Sequence, residues 1–158
     1  MIKKKERKNR MSKKKVILIK ADISIDSRGE LLFCNNFNMS KIKRFYQVSN
    51  FNNPFIRAWH GHKFEDKYIL VSKGAALLAA VKIDNWKHPS KNLSIKTFVL
   101  NGKKPKLLFI PGGYAHGYKT LLRDTKLIVF STSTLSQSKK DDYRFDAYYW
   151  NPWIVKER

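Results

Sequence analysis

Two short motifs contain most of the residues in this chain that could transfer protons. The first is Arg57-Ala58-Trp59-His60-Gly61-His62-Lys63, and the second is Pro111-Gly112-Gly113-Tyr114-Ala115-His116-Gly117. His60 and His62 are two positions apart, so on a β-strand their side chains point to the same face. His116 follows a turn-rich segment and begins another apolar run. We therefore expect imidazoles from two strands to line one pocket.

Such a pocket is suited to removing a proton from a carbon next to a ketone. Histidine titrates near neutrality and can act as the base, and a carboxylate behind it would fix its tautomer. The developing enolate oxygen needs a cation or a hydrogen-bond donor, and a lysine supplies that charge. Arginine binds a pyrophosphate bidentately, which gives a role to Arg57 and Arg28 at the pocket mouth.

The elements that would position these residues are short strands separated by turns. Strands with turn residues every 8 to 12 positions predict an all-β sandwich or jelly roll, and no helical period is sustained between Val16 and Ser131. Lys73-Gly74 is expected to form a hairpin turn, and the aromatic segment 143–153 to fold back over the barrel. The predicted strands are Val16–Ile19, Glu30–Cys34, Lys43–Val48, Phe55–Trp59, Tyr68–Val71, Ala75–Ile83, Ser94–Leu100, Lys106–Ile110 and Thr125–Ser131.

Length and composition indicate one domain, over residues 16–158, after a disordered basic tail at 1–15. The formal charge is +21, and nine Lys/Arg against one Glu in the tail contribute +8 of it. The single cysteine, Cys34, excludes an internal disulfide, and no apolar run reaches the roughly 20 residues that span a bilayer. We expect a cytoplasmic protein without a membrane partner.

The remaining positive charge lies in a region rich in aromatic residues. A basic pocket with aromatic walls suits a nucleotide diphosphate, so nucleic acid is not the expected partner. RNA binding through the tail is an alternative, as is a general surface bias toward lysine. Comparing the salt dependence of RNA binding with and without residues 1–10 would test the RNA alternative.

Five motifs in order resemble the dTDP-4-dehydrorhamnose 3,5-epimerase family over residues 16–153. They are Asp26–Gly29, Arg57–His60, Lys67 seven residues before Gly74, Ile110–Tyr118, and Phe145-Asp146 ahead of Trp150-Asn151-Pro152. The resemblance implies a cupin jelly roll, usually homodimeric, that acts without metal or other cofactor. The implied substrate is a nucleotide-linked 4-keto-6-deoxyhexose used in surface polysaccharide synthesis.

The resemblance also implies residue roles. His60 would be the catalytic base, Asp146 the acidic residue that orients it, and Lys67 the lysine near the keto oxygen. The implied contacts to the nucleotide sugar are Arg28, Arg57 and His116.

A second resemblance concerns His60-Gly61-His62-Lys63, which looks like the paired-histidine motif of dTDP-sugar 3,4-ketoisomerases. It adds His62 as a catalytic candidate and Lys63 as a substrate-binding candidate. The tyrosine that acts as acid in family epimerases is absent, since Phe130 and Thr134-Leu135-Ser136 occupy that region. Water or another tyrosine, such as Tyr143, would have to deliver the proton.

Other readings stay open. The chain could be a cupin that binds a nucleotide sugar without turning it over, and the paired histidines could be a buried structural pair. Three histidines could also ligate a metal, but only Lys63 and Phe64 separate His62 from Glu65, and the asparagine that normally follows PxGxxH is missing. We therefore expect no metal.

Some single residues also have simpler explanations. Lys67 could form only a surface pair with Asp66. His88 is expected to be solvated. The C-terminal aromatic residues are expected to be core or dimer contacts rather than a base-stacking platform; they are Tyr148, Tyr149, Trp150 and Trp153.

Overall fold

The structure, a computed structural model, describes residues 14–52 and 55–158. Within these residues the regular secondary structure is almost entirely β-strand, as the sequence predicts, with a 3₁₀ turn at Met39–Lys41. The elements are β1 (Ile17–Lys20), β2 (Asp22–Asp26), β3 (Gly29–Phe33), β4 (Arg44–Ser49), β5 (Ile56–His62), β6 (Lys67–Lys73), β7 (Ala75–Lys82), β8 (Ile95–Asn101), β9 (Lys106–Ile110), β10 (Tyr114–Thr120), β11 (Lys126–Ser131), α1 (Leu135–Lys140) and β12 (Tyr143–Arg144).

Two five-stranded antiparallel sheets form a sandwich of jelly-roll type. The first has the strand order β1-β9-β6-β11-β4, and the second has the order β12-β5-β10-β7-β8. The strands β2 and β3 form a separate two-stranded ribbon that turns between Asp26 and Gly29. The predicted all-β jelly roll is confirmed.

The main core lies between the two sheets. Alternate residues of β7 face inward, namely Ala76, Leu78 and Ala80, and they pack with Ile69 and Val71 of β6. The other face of β7 is buried too, so the strand reads as one continuous apolar run. The inner face is apolar at one end and carries polar side chains near the start of β6.

A second apolar cluster covers the outer face of the second sheet. Trp59 is fully buried there, and the C-terminal segment brings Trp150 and Trp153 against it. The indole nitrogen of Trp59 donates to the carbonyl of Trp150 at 3.1 Å. The predicted return of the aromatic segment is confirmed, while Tyr148 stays exposed.

The connection at Lys73-Gly74 is not the predicted hairpin. The strands on either side of it, β6 and β7, belong to different sheets, so this turn is a corner of the sandwich. Gly74 has a φ of +75°, and a Cβ there would collide with the side chain of Thr125. The hydroxyl of Thr125 holds the corner by bonding to the backbone of Ala75.

The predicted basic tail covers residues 1–15, of which 1–13 lie outside the described residues. Lys14 forms an ion pair with Asp66 at 2.7 Å. Strand β2 was not predicted, because its Asp and Ser residues are uncommon in strands. No helix in the described part of the chain is long and apolar enough to cross a membrane.

Candidate active site

Strands β5 and β10 bring the three histidines of the motifs together. His60 and His116 are direct antiparallel partners, and their ring centroids lie 6.1 Å apart. The rings of His62 and His116 are separated by 6.0 Å. His62 is 5% exposed, His116 is 7% exposed, and His60 is half-buried. The three imidazoles form one cluster on the inner face of the second sheet.

A register shift in β5 also places Arg57 on this face. Tyr118 pairs with Arg57 and His116 pairs with His60, so two positions of β10 match three positions of β5. Directly paired residues point the same way, so Arg57 and His60 share a face although their odd spacing would separate them in a regular strand. The guanidinium of Arg57 is exposed and donates to the Asn50 side chain at 2.8 Å. It therefore lies at the rim.

Lys67 reaches the pocket from the opposite sheet. It is 6% exposed, and its ammonium donates to the Tyr46 hydroxyl at 3.2 Å. Asp66 is engaged elsewhere, with Lys14 and the backbone of Gly112. The simpler explanation of Lys67 as a surface pair with Asp66 is therefore wrong.

A buried carboxylate, Glu65, lies behind His62 and Lys67. It is 2% exposed and accepts hydrogen bonds from Ser131 at 2.6 Å and Ser138 at 2.8 Å. Burial by itself would raise the pKa of Glu65, but Lys67, Ser131 and His62 together bring it below its usual value. The sequence analysis considered Glu65 only as a metal ligand and missed this position.

Two acceptors face one nitrogen of His62. Its Nδ1 lies 2.6 Å from the carbonyl oxygen of Asp141 and 3.1 Å from Oε2 of Glu65. Both partners can only accept, so Nδ1 carries the proton and a neutral His62 has a free lone pair on Nε2. Burial, and then Lys67, lower the pKa of His62, which favours the neutral ring.

Asp141 sets the position of this unit. Its carboxylate accepts hydrogen bonds from three consecutive backbone amides, at Lys63, Phe64 and Glu65, at 2.8 to 3.1 Å. It follows α1, which begins with a capping box between Thr134 and Gln137. The segment after β11 is therefore a helix whose end fixes the loop after His62.

The electrostatic surroundings keep the other two histidines neutral as well. Burial, and then the charges of Arg144 and Lys67, lower the pKa of His60 to about 4. Burial, and then Lys67, lower the pKa of His116 well below its ordinary value. All three imidazoles are therefore available as bases at pH 7.

The carboxylate whose charge acts on the pKa of His60 is Asp142, and not Asp146 as the resemblance implies. The charge of Asp142 opposes the lowering of the pKa of His60, and Asp142 also pairs with Arg144 at 2.8 Å. Asp146 is exposed and accepts from the backbone of Tyr148. No hydrogen bond or ion pair joins Asp146 to His60 within residues 14–52 and 55–158.

Two predicted contact residues lie outside the histidine cluster. Arg28 is at the turn of the β2–β3 ribbon, exposed and paired with Asp26. Lys63 lies just past β5, with its ammonium 4.8 Å from the ring centroid of Tyr143 and 5.8 Å from that of Trp86.

Tyr143 pairs with Gly61 and lies on the face opposite His60, so its position does not fit the role of acid suggested for it from the sequence.

Two tyrosines lie near the histidine cluster. The hydroxyl of Tyr46 on β4 accepts from Lys67, and Tyr118 shares the face of His116 on β10. The sequence signal for both was alternation with other inward residues, which does not distinguish a pocket phenol from a core aromatic. The described residues contain no group of three or more His, Cys, Asp or Glu arranged to hold a metal ion.

A jelly roll whose inner face carries histidines from one sheet and a lysine from the other defines a cupin-type site. The family model of dTDP-4-dehydrorhamnose 3,5-epimerase matches residues 11–151, and the chain belongs to this family. No curated protein sequence matches the chain.

Solved structures of two activities share the fold. A dTDP-4-dehydrorhamnose 3,5-epimerase from Sulfolobus tokodaii has a TM-score of 0.70 and 25% identity, covering 88% of this chain and 81% of its own. A 3,4-ketoisomerase from Helicobacter canadensis has a TM-score of 0.64 and 19% identity, covering 85% and 93%. A sugar 3,4-ketoisomerase from Thermoanaerobacterium thermosaccharolyticum, solved in complex with TDP, has a TM-score of 0.64 and 20% identity, covering 85% and 90%.

Proposed function

We propose that this protein is an isomerase that removes a proton next to the ketone of a dTDP-linked 4-keto-6-deoxyhexose. One observation carries the proposal: the imidazoles of His60 and His62 lie on one face of β5, and the buried ammonium of Lys67 is close enough to lower the pKa of both. A neutral base and a cation are the two groups that enolisation requires. Family membership supplies the substrate class.

We assign the first proton abstraction to His62. Its Nδ1–H is held by two acceptors, so Nε2 is the basic atom. The sequence-based expectation gives this role to His60, which has no carboxylate bonded to its ring among the described residues and has a pKa of about 4. In the proposed mechanism His60 transfers a second proton or orients the sugar.

Lys67 and Tyr46 form the complementary half of the proposed mechanism. The ammonium of Lys67 stabilises the enolate oxygen. Since the Tyr46 hydroxyl accepts from Lys67, its own proton remains available for donation. Tyr46 is thus the proposed acid in place of the missing family tyrosine.

The nucleotide would bind toward the rim. Arg57 offers a guanidinium at the edge of the inner face, beside the histidine cluster. A thymidine diphosphate presents two phosphates, which a guanidinium can bind bidentately. Lys63, Tyr143 and Trp86 lie toward the other face of the sheet and are not part of this proposed contact. As implied by the family, we expect a cytoplasmic homodimer in surface polysaccharide synthesis.

Epimerisation is the first candidate reaction, and 3,4-ketoisomerisation is the second. The second is favoured by one specific observation, the two imidazoles of His60 and His62 on one face, since moving a hydrogen between neighbouring carbons needs bases close together. Both reactions begin with the same enolate.

The test is to incubate the protein with dTDP-4-keto-6-deoxyglucose in heavy water and follow each carbon by NMR. An epimerase gives deuterium at C3, or at C3 and C5, with inverted configuration. A ketoisomerase gives a 3-keto product. Saturable binding without exchange indicates a non-catalytic binding protein, and absence of both binding and exchange contradicts the proposal.

The same assay tests the expected independence from metal. Because Lys67 can stabilise the enolate, turnover should survive exhaustive chelation. If turnover is lost on chelation and a divalent cation restores it, His60, His62 and His116 would instead be ligands of a metal ion.

A further inference from the structure

The buried carboxylate Glu65 has more partners than a structural role requires. It lies between β5 and β6 and accepts from two hydroxyls, those of Ser131 and Ser138. Its Oε2 faces Nδ1 of His62 at 3.1 Å, and its Oε1 lies 3.9 Å from the ammonium of Lys67. Each oxygen thus faces a different member of the proposed catalytic pair.

The energetics of burial explain why this arrangement matters. An ammonium that is 6% exposed, as in Lys67, is costly unless a counter-charge compensates for the lost water. Apart from Glu65, the polar partner of Lys67 in the described chain is the neutral hydroxyl of Tyr46. Glu65 therefore compensates the buried charge of Lys67 and fixes the ring of the neighbouring base.

We propose that Glu65 is a positioning residue shared by His62 and Lys67, which holds the base and the cation in register across the two sheets. This inference rests on the proposed function, in which His62 removes the proton and Lys67 stabilises the enolate. Neither contact of Glu65 involves Asp146, the residue that the family resemblance implies for orienting the base. The orienting carboxylate has a different origin in this chain.

Other charged and titratable groups also face this unit. The guanidinium of Arg44 lies 3.4 Å from Oε1 of Glu65 and shares its charge. The remaining groups are Tyr46 from β4, His60 from β5, His116 from β10, and Asp141 and Asp142 after α1. Single substitutions at Glu65 and Lys67 leave all of these in place, so differences between the two variants report on the shared carboxylate.

The experiment follows the imidazole nitrogens by ¹⁵N NMR in the full-length protein. The chain has four histidines, so the His62 signals can be assigned with His→Asn variants. In Glu65→Gln the titration midpoint of His62 should fall, because the charge that favours its protonated form is gone. In Lys67→Met the midpoint should rise, because the ammonium that disfavours the imidazolium is gone while Glu65 keeps its charge.

Stability provides a second measurement. The double variant Glu65→Gln/Lys67→Met should unfold at a denaturant concentration no lower than Glu65→Gln alone, since it removes the ammonium that Glu65→Gln leaves unpaired. In activity assays Glu65→Gln should lower kcat roughly tenfold to a hundredfold, with KM within about twofold. A merely structural carboxylate would reduce stability without opposite shifts at His62.

The outcomes are separable. Unchanged His62 midpoints in both variants, or additive losses of stability, would overturn the inference even in an active enzyme. Wild-type protein without hydrogen exchange on any sugar would overturn the proposed function, while the NMR shifts would still show whether Glu65 is shared. If Glu65→Gln does not fold, the double variant Glu65→Gln/Lys67→Met, which lacks the unpaired ammonium, is titrated beside Lys67→Met. A lower His62 midpoint in the double variant supports the inference, and an equal midpoint overturns it.

Discussion

His60 and His62 occupy the same face of β5, yet their surroundings differ. His62 has a fixed Nδ1–H between Glu65 and the carbonyl of Asp141, whereas His60 faces His116 and the charge of Arg144. A base that is held in one tautomer needs no reorganisation before it accepts a proton. Replacing each of the two histidines should therefore have a different effect on hydrogen exchange and product formation.

His62→Asn should slow hydrogen exchange at every sugar carbon by roughly 10²- to 10⁴-fold, the usual effect of losing a general base. His60→Asn should keep measurable exchange at the first carbon while product formation falls. Deuterium uptake resolved by carbon in heavy water measures both. The reverse pattern would return the base to His60, as the sequence motif suggests.

Tyr46→Phe should retain proton removal but lose product. The phenol is the proposed donor to the enolate, so its loss should let deuterium exchange continue while inversion or isomerisation slows, by roughly 10²-fold or more. Tyr148→Phe is the matched control because Tyr148 is exposed at the surface. Equal loss of exchange and product in Tyr46→Phe would place the acid elsewhere.

The sequence was informative about residues that carry a motif and silent about those that do not. Spacing identified His60, His62 and His116, and the fixed separation from Gly74 singled out Lys67. Glu65 could not be recognised as a partner of Lys67 from the sequence. Its carboxylate is held in place by Ser138 and Ser131, which α1 and β11 bring to it only in the folded protein. Contacts of that kind depend on tertiary structure.

At the scale of elements, the pairing of β5 with β10 decides which residues enter the pocket. The extra residue in β5 lies opposite Gly117, where a Cβ would collide with the side chain of Ala58 and come within 3.0 Å of the carbonyl oxygen of Arg57. A glycine is therefore needed at this position for the two strands to approach. The same irregularity places Arg57 beside His60.

Gly117→Ala should destabilise the fold by about 1 to 3 kcal/mol and reduce turnover, since the strands must separate to admit the methyl group. Ala58→Gly should partly rescue it, because it removes the nearest obstacle. Denaturant unfolding of the two single variants and the double variant measures this coupling. Simple additivity would show that the two positions do not meet.

Most strands were predictable because apolar alternation and turn residues mark them, and the confirmed examples include β9 at Lys106–Ile110. The β6–β7 corner was misread, since a Lys-Gly turn looks the same whether the strands pair or change sheets. Strand β2 was missed because its polar residues lie in a ribbon outside the sandwich.

For the whole molecule, the buried neutral histidines make stability depend on pH. In the unfolded chain histidine takes up a proton near pH 6.5, whereas folded His60 does so only near pH 4. Acidification from pH 6.5 to 4 therefore favours the unfolded state, and the loss is complete once His60 itself is protonated. One pKa unit corresponds to about 1.4 kcal/mol, so His60 alone costs roughly 3 kcal/mol across this window.

The free energy of unfolding should accordingly fall between pH 7 and pH 4.5, and His60→Asn should lessen that fall. Chemical denaturation at both pH values measures the difference. The exposed His88 offers a matched control, since His88→Asn should leave the pH dependence as in the wild type. An identical fall in the wild type and His60→Asn would contradict the burial argument.

The central claim is that this pocket enolises a 4-keto sugar, and deuterium uptake by dTDP-4-keto-6-deoxyglucose tests it most directly. The wild type should be compared with the double variant His60→Asn/His62→Asn, with TDP binding by both proteins checked by calorimetry. The account predicts rapid exchange in the wild type, and binding without exchange in the double variant. Exchange at the wild-type rate in the double variant, or none above the buffer rate in the wild type, would contradict it.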